Sequence, residues 1–385
     1  MNNFILILDS ACAERRLKIK HTNGYIAQIV PDVLLYQIDN EKLRYKILSN
    51  YQLCLAVNLG DNIFEDVIRA SCIVIIGGLK NNLSEVFEYR KNDGVDIEDV
   101  DKTLLNSSFF DALPHKIFAT RNINGYSILT KYKNCKLIDL IDEDGIQRGI
   151  SPDLKEAFIV DNKIISANSL EEQYIFPTVT GGKDIKRYYS KDIGKRIIYT
   201  KKGDNELEIV NIIEYLTQFK NSITCKEVKQ NKHPFWGLHR ARNQVIFQKN
   251  EKILGVITGD KVVVSLDNSY LYPTDGLYLF SSDGTYSNKF LVGLLNSSLC
   301  TFFYRLISTE VNRTLSQIKP SILGLIPVSK EFDKNKVTQI ELLTGKIIEK
   351  IKTNNLNFSK ESKAIDQLVY KLYGLTEEEI RIVEG

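Results

Sequence analysis

The chain has 385 residues, 43% hydrophobic and 26% charged, with a net charge of only +3. That size and composition fit two or three globular domains with ample core, and no apolar run approaches the ~18 residues of a transmembrane helix. Six cysteines (12, 54, 72, 135, 225 and 300) without a Cys-x-x-Cys pair, and four histidines, point to free thiols in a reducing cytoplasm rather than a disulfide framework or a metal site.

Met1 to Leu8 is apolar but lacks a basic leader and a small-residue cleavage site, so it does not read as a signal peptide. Phe4 to Leu17 carries apolar residues near helical period, and His21-Thr22-Asn23-Gly24 breaks that helix. Tyr25 to Val30 is a nearly continuous apolar run, as in a strand buried on both faces of a parallel sheet, and Pro31 ends it. Asp39 is placed to cap a helix to Leu48, with Leu43 and Ile47 on one face. Leu53 to Leu59 and Ala70 to Ile76 read as two further buried strands. This order predicts the edge of an α/β sheet. Three strands are too few to cover both faces of a doubly wound domain, so this part reads as half of one.

Asp93 to Asp101 carries five acids and reads as a solvated loop. From Lys116 to about Pro327 short β-branched and aromatic runs alternate with turns: Ala157 to Val160, Arg196 to Tyr199, Gln244 to Phe247, Lys261 to Val264 and Leu277 to Phe280. Asp275-Gly276 and Asp283-Gly284 are turn dipeptides. A β-rich domain is expected here, with a helix over Asn288 to Leu306. Lys330 to Glu384 reads as helical, interrupted at Asn354-Asn355 and Gly374, and Thr376 with Glu379 has capping-box spacing.

Positive charge is concentrated in two blocks of the β-rich part. Residues 177–202 hold eight Lys or Arg against two Asp, and residues 220–252 hold eight against two Glu. The first block contains Thr180-Gly181-Gly182-Lys183-Asp184-Ile185-Lys186-Arg187-Tyr188-Tyr189. Focused cations among aromatic rings suit a phosphate backbone and its bases; the plainer reading is a solvated face with Lys stems lying over rings.

Asn23 to Pro31 followed by Lys42-Leu43-Arg44, then Asn58 to Phe64 and Ala70 to Ile76, resembles the late part of the catalytic domain of adenine-N6 DNA methyltransferases of restriction–modification systems. From Ile150 onward the chain resembles the TaqI-like C-terminal specificity (target-recognition) domain. The words that carry this are Lys155 to Val160, Gly182 to Tyr188, Trp236 to Asn243 and Leu294 to Ser298; the tail Ile365 to Thr376 resembles the closing helices of these enzymes. The resemblance implies a partial Rossmann-like methyltransferase sheet over 1–115, a mixed, β-rich target-recognition domain over 116–328 and a helical segment over 329–385. Such methyltransferases carry a glycine-rich loop for S-adenosylmethionine and an Asn-Pro-Pro-Tyr motif for the flipped adenine. None of the eight prolines here is adjacent to another, and Gly77-Gly78 is followed by an Asn-rich loop, so neither signature is present. The chemistry is expected from another polypeptide or a second copy, which would pair with an apolar edge of residues 24–76.

The residues expected at double-stranded DNA are Lys183, Lys186, Arg187 and Tyr188 in the first block, and Trp236, His239, Arg240, Arg242 and Asn243 in the second. Lys183, Lys186 and Arg187 either grip phosphates or pair with Asp184 and Asp192. Trp236, the single tryptophan, is either a core plug or a stacking platform. His239, Arg240, Arg242 and Asn243 carry donors that suit base edges, and Asn312 and Arg313 are placed to touch backbone. His233 reads as a loop residue. Asp204, Glu206 and Glu208 lack the lysine a nuclease triplet needs and read as a solvated loop. The expected function is DNA sequence recognition for an adenine-N6 methyltransferase, inactive alone and with no metal or membrane partner. The alternatives are an adaptor whose basic face meets acidic protein, and a nuclease with an unrecognised site.

Overall fold

A computed structural model describes residues 24–61, 63–64, 70–77, 82–91, 94–132, 136–308 and 316–385. The expected helix over Phe4 to Leu17, together with Asn312 and Arg313, lies outside them. The chain forms two compact units, Met1–Asn134 and Cys135–Gly385. The expected boundary after residue 115 falls inside the first unit. The reason is Arg44, whose guanidinium donates to the carbonyls of His115, Lys116 and Leu34, while the Phe118 amide donates to the Leu35 carbonyl. These bonds tie residues 115–118 to the helix and turn that precede them. Arg44 is fully buried, and burial lowers its pKa to about 10, partly opposed by Glu41.

In the first unit β1 (Tyr25–Pro31), β2 (Leu53–Gly60), β3 (Ser71–Gly77), β4 (Leu83–Glu88) and β5 (Thr103–Asn106) form one sheet in the order β1-β3-β2-β4-β5. β3 runs antiparallel to both β1 and β2, β4 is parallel to β2, and β5 is antiparallel to β4. Alternation sends Ala56, Cys72, Val74 and Ile76 to one face, where Leu43, Ile47 and Leu48 of helix Glu41–Asn50 cover them. The opposite face buries Val57, Leu59 and Phe87. The strand expected to be buried on both faces in a parallel sheet is instead the antiparallel edge strand β1, with Tyr25 67% and Ile29 56% exposed. β4 and β5 were not expected. Their short alternating runs flank the acidic loop, whose described acids Asp96, Glu98, Asp99 and Asp101 are exposed as anticipated.

The second unit contains β6 (Gln147–Arg148), β7 (Ile159–Val160), β8 (Ile175–Val179), β9 (Tyr188–Ser190), β10 (Arg196–Ile198), β11 (Lys252–Val256), β12 (Val264–Asp267), β13 (Tyr272–Pro273) and β14 (Leu277–Phe280). They form a four-stranded sheet β13-β8-β10-β7 and a five-stranded sheet β6-β14-β11-β12-β9. Pairing is antiparallel except for β12 with β9 and β13 with β8. The core between them includes Phe158, Tyr199, Trp236, Phe247 and Tyr272; Tyr199 and Phe247 both approach Tyr272, with ring centroids 5.3 and 4.9 Å away. Gln244–Phe247, expected as a strand, is a helical turn because the Asn243 side chain accepts from the Val245 amide and caps it. Ala157 to Val160 likewise begins in a helical turn, Lys155–Phe158, before β7.

The helix expected over 288–306 is two, Asn288–Leu295 and Ser298–Ile307, meeting at 70°. Asn296 breaks it by turning its amide onto the backbone of Val264 in β12. Among the described residues no single helix is long and apolar enough to cross a membrane. Helix Lys334–Lys352 passes so close to Gly293 that a Cβ there would lie 2.4 Å from Thr344 Oγ1. Asn354 and Gly374, both at positive φ, interrupt the closing helices where expected, and Thr376 with Glu379 forms the expected capping box. Cys54, Cys72, Cys225 and Cys300 are free thiols.

Candidate nucleic-acid interface

The first basic block runs from the end of β8 through β9 and β10, and the second through the helical turns Lys226–Lys229 and Gln244–Phe247 to the start of β11. Thr180 follows β8, and Asp184 closes the Gly-Gly turn. Its carboxylate accepts from the Thr180 amide at 2.8 Å and hydroxyl at 2.7 Å, and from Lys195 Nζ at 2.8 Å. Burial pushes the Asp184 carboxyl up, but the Lys195 and Thr180 donors outweigh that and hold it below its ordinary value. Asp192 is likewise taken, by Arg196 at 2.8 Å. The two acids therefore pair with Lys195 and Arg196, while Lys183 and Lys186 are exposed and in no ion pair among the described residues.

Arg187 and Tyr188 face the other way. The Arg187 guanidinium lies 5.0 Å over the Tyr188 ring and donates to the Asn296 carbonyl. Tyr188 is fully buried at φ 78°, and its hydroxyl meets Ser362 Oγ at 3.1 Å. The second block behaves similarly. Trp236 is 5% exposed and sits in the core, while the Thr200 hydroxyl donates to its carbonyl. Of the two rings expected to meet bases, neither presents a face at the surface. Asn243 is occupied as a helix cap and donates to Asp144 at 3.2 Å.

The remaining donors converge. Ser151 and Arg240 exchange backbone hydrogen bonds at 3.0 Å, and Arg242, at φ 67°, donates from Nε to the Gly149 carbonyl at 3.1 Å. Gly149 packs against Thr274 so tightly that a Cβ would meet its carbonyl at 2.3 Å. Thr274 in turn donates to the Thr180 carbonyl at 2.9 Å. Thus 148–151, 180–183, 240–242 and 273–275 form one strip. Arg242 is depressed first by burial and then by the charges of Arg240 and Arg148, opposed by Asp275, which accepts from the Ser151 hydroxyl and pairs with Lys155 at 3.0 Å. A like-charged group of this kind is relieved by an anion. Arg148 and Ser151 were missed because they lie outside both basic blocks, on the short strand β6 and its extension. His239 is half-buried, 3.9 Å from Glu227. Asp204 accepts from the Lys201 amide and Glu208 from the Tyr174 hydroxyl, and Glu206 is exposed.

Residues 177–328 match the TaqI-like C-terminal specificity domain. No curated protein sequence matches the chain. Among solved structures it is similar to the type IIL restriction-modification enzyme MmeI in complex with DNA, at 13% identity and a TM-score of 0.56, over 94% of this chain and 49% of that one. The type IIG restriction endonuclease BpuSI is similar at 10% identity, TM-score 0.40, over 92% and 48%. The DrdV–DNA complex is similar at 8% identity, TM-score 0.38, over 85% and 38%. The chain therefore spans about half or less of the length of these enzymes. A fold is shared with MmeI over 94% of the chain, and residues 177–328 match the TaqI-like C-terminal specificity domain.

Proposed function

We propose that the chain is the DNA-reading portion of an adenine-N6 methyltransferase from a restriction–modification or phage-defence system. The observation that carries this is a set of exposed cations around one strip of four adjoining segments, Arg148, Lys183 and Arg240 on it and Lys186 three residues beyond, of which Lys183, Lys186 and Arg240 fall within the stretch that matches a TaqI-like specificity domain. Cations so placed grip phosphates, while Arg240 and His239 offer donors to base edges in a groove. Tyr188 and Trp236 are buried, Arg187 donates to the Asn296 carbonyl and Asn243 caps helix Gln244–Phe247, so these four are left out of the DNA contact. MmeI, whose fold this chain shares, was solved bound to DNA.

The first unit supports the same division of labour. Its sheet buries a large cluster on one face and three residues on the other, and the β1 edge exposes Tyr25 and Ile29. We read it as a partial Rossmann-like methyltransferase sheet completed by an N-terminal methyltransferase polypeptide or a second copy. The completing part supplies the S-adenosylmethionine loop and the Asn-Pro-Pro-Tyr motif, and the assembled enzyme flips the target adenine out of the duplex.

Titrating the chain with a labelled duplex at two salt concentrations tests the reading. Each phosphate contact contributes a slope of about −0.9 in log K against log salt, so affinity falls about three- to fourfold per contact between roughly 50 and 200 mM. Salt-independent binding, or none, sinks it and favours an adaptor that meets acidic protein. Methyl transfer is expected to be absent with this chain alone; robust turnover without a partner would overturn the division of labour.

A further inference from the structure

A cluster beside the proposed DNA strip, sharing His239 with the proposed DNA contact, goes beyond that reading. Cys225, Glu227 and His239 bring one thiol, one carboxylate and one imidazole to a common point, with all three donor atoms within 4.8 Å of one another. The Cys225 thiol donates to Glu227 Oε2 at 3.1 Å, and His239 Nε2 lies 3.9 Å from the same oxygen. Around a tetrahedral zinc, with bonds of about 2.3 Å to sulfur and about 2.0–2.2 Å to nitrogen and oxygen, neighbouring ligand atoms stand about 3.4–3.6 Å apart. The observed separations bracket that value. Side-chain rotations that bring the His239 imidazole toward the Cys225 sulfur would close the set.

The ligands are held from behind. The Asp153 carboxylate accepts from the Thr224 and Cys225 amides at 2.6 and 3.0 Å and from the Thr224 hydroxyl at 3.1 Å, fixing the thiol at the start of helix Lys226–Lys229. On the other side, the Leu238 amide donates to Thr200 and the Arg240 amide to Ser151, so His239 is held between two anchored neighbours.

We propose that Cys225, Glu227 and His239 form a divalent transition-metal site of the zinc class, with solvent as a fourth ligand. Thiolate and imidazole favour a borderline cation over magnesium or calcium. On binding, the Cys225 S–H proton leaves to solvent as the sulfur–metal bond forms, so affinity rises with pH. The metal ties both ends of the 225–239 loop together immediately before Arg240.

Cobalt(II) titration of the full chain tests the site. Expected are a thiolate-to-cobalt charge-transfer band saturating near one equivalent, its displacement by zinc, and its loss in Cys225→Ser but not in Cys54→Ser. Glu227→Gln keeps an exposed polar side chain and so retains the fold; it should weaken cobalt binding about tenfold or more. The absence of a band from wild-type protein with a folded circular-dichroism spectrum overturns the proposal. So does a band that survives Cys225→Ser, or cobalt affinity unchanged in Glu227→Gln.

Discussion

Lys252 and Asp267 are both fully buried, face each other across β11 and β12, and form an ion pair at 2.6 Å. Burial pulls the Lys252 ammonium below its ordinary value and Asp267 opposes it, while Lys252 also donates to the Phe247 carbonyl at 2.9 Å. Lys252→Met keeps the stem and removes the charge, which leaves the Asp267 carboxyl in the core without its cation. The Ser269 and Leu271 amides, at 2.8 and 3.1 Å, are then its remaining donors. Removing one member of such a pair costs about 3–5 kcal/mol. Replacing both, in Lys252→Met with Asp267→Asn, removes the buried charge and should cost only about 1–3 kcal/mol for the unmade hydrogen bonds. The double variant is therefore expected to be more stable than Lys252→Met alone. Trp236 is the single tryptophan and lies in the core of this unit, so its fluorescence during urea unfolding reads the relevant transition. A loss below about 1 kcal/mol in Lys252→Met, or a double variant that loses the sum of the singles, would refute the argument.

Removing Lys183, Lys186 and Arg240 together should leave the melting temperature unchanged and reduce the salt slope of duplex binding by about 2–3; an unchanged slope removes these residues from the interface. Trp236→Ala should cost about 3–5 kcal/mol by thermal denaturation, whereas Trp236→Phe should leave the salt slope as it is; a stable Ala variant with weakened DNA binding would make the indole a stacking platform after all. Asp184 has a depressed folded pKa, so its contribution is fully present above the unfolded value, about 3.8, and is lost as pH falls through the folded one. The stability difference between wild type and Asp184→Asn should accordingly shrink below about pH 4, and a difference constant to about pH 2 contradicts the assignment.

What sequence made legible follows from how local each signal is. The capping box at Thr376, the breaks at Asn354 and Gly374, and strands β10 and β14 are set by neighbours a few residues away. Gln244–Phe247 misled because β-branched content favours a strand, while the deciding contact was the cap from Asn243. The bend after Leu295 depends on Asn296 reaching β12, a contact distant in sequence. Among the candidate site residues, charge was readable but orientation was not. Lys183 and Tyr188 stand five positions apart in one basic block, yet one is exposed and the other has no exposed surface. The strip itself is assembled by Gly149, Thr274 and Arg242, joined by bonds that no local pattern announces. The Cys225, Glu227 and His239 cluster was hidden for the same reason, since its spacing fits no Cys-x-x-Cys pattern.

The closing helix Ser359–Leu372 hands Ser362 to the buried Tyr188 hydroxyl, and its Asp366 carboxylate accepts from the Ser298 amide at 2.7 Å. Transplanting the second unit by cutting the chain at residue 328 would strand both groups, one of them on the edge strand β9. A graft has to carry the tail with it.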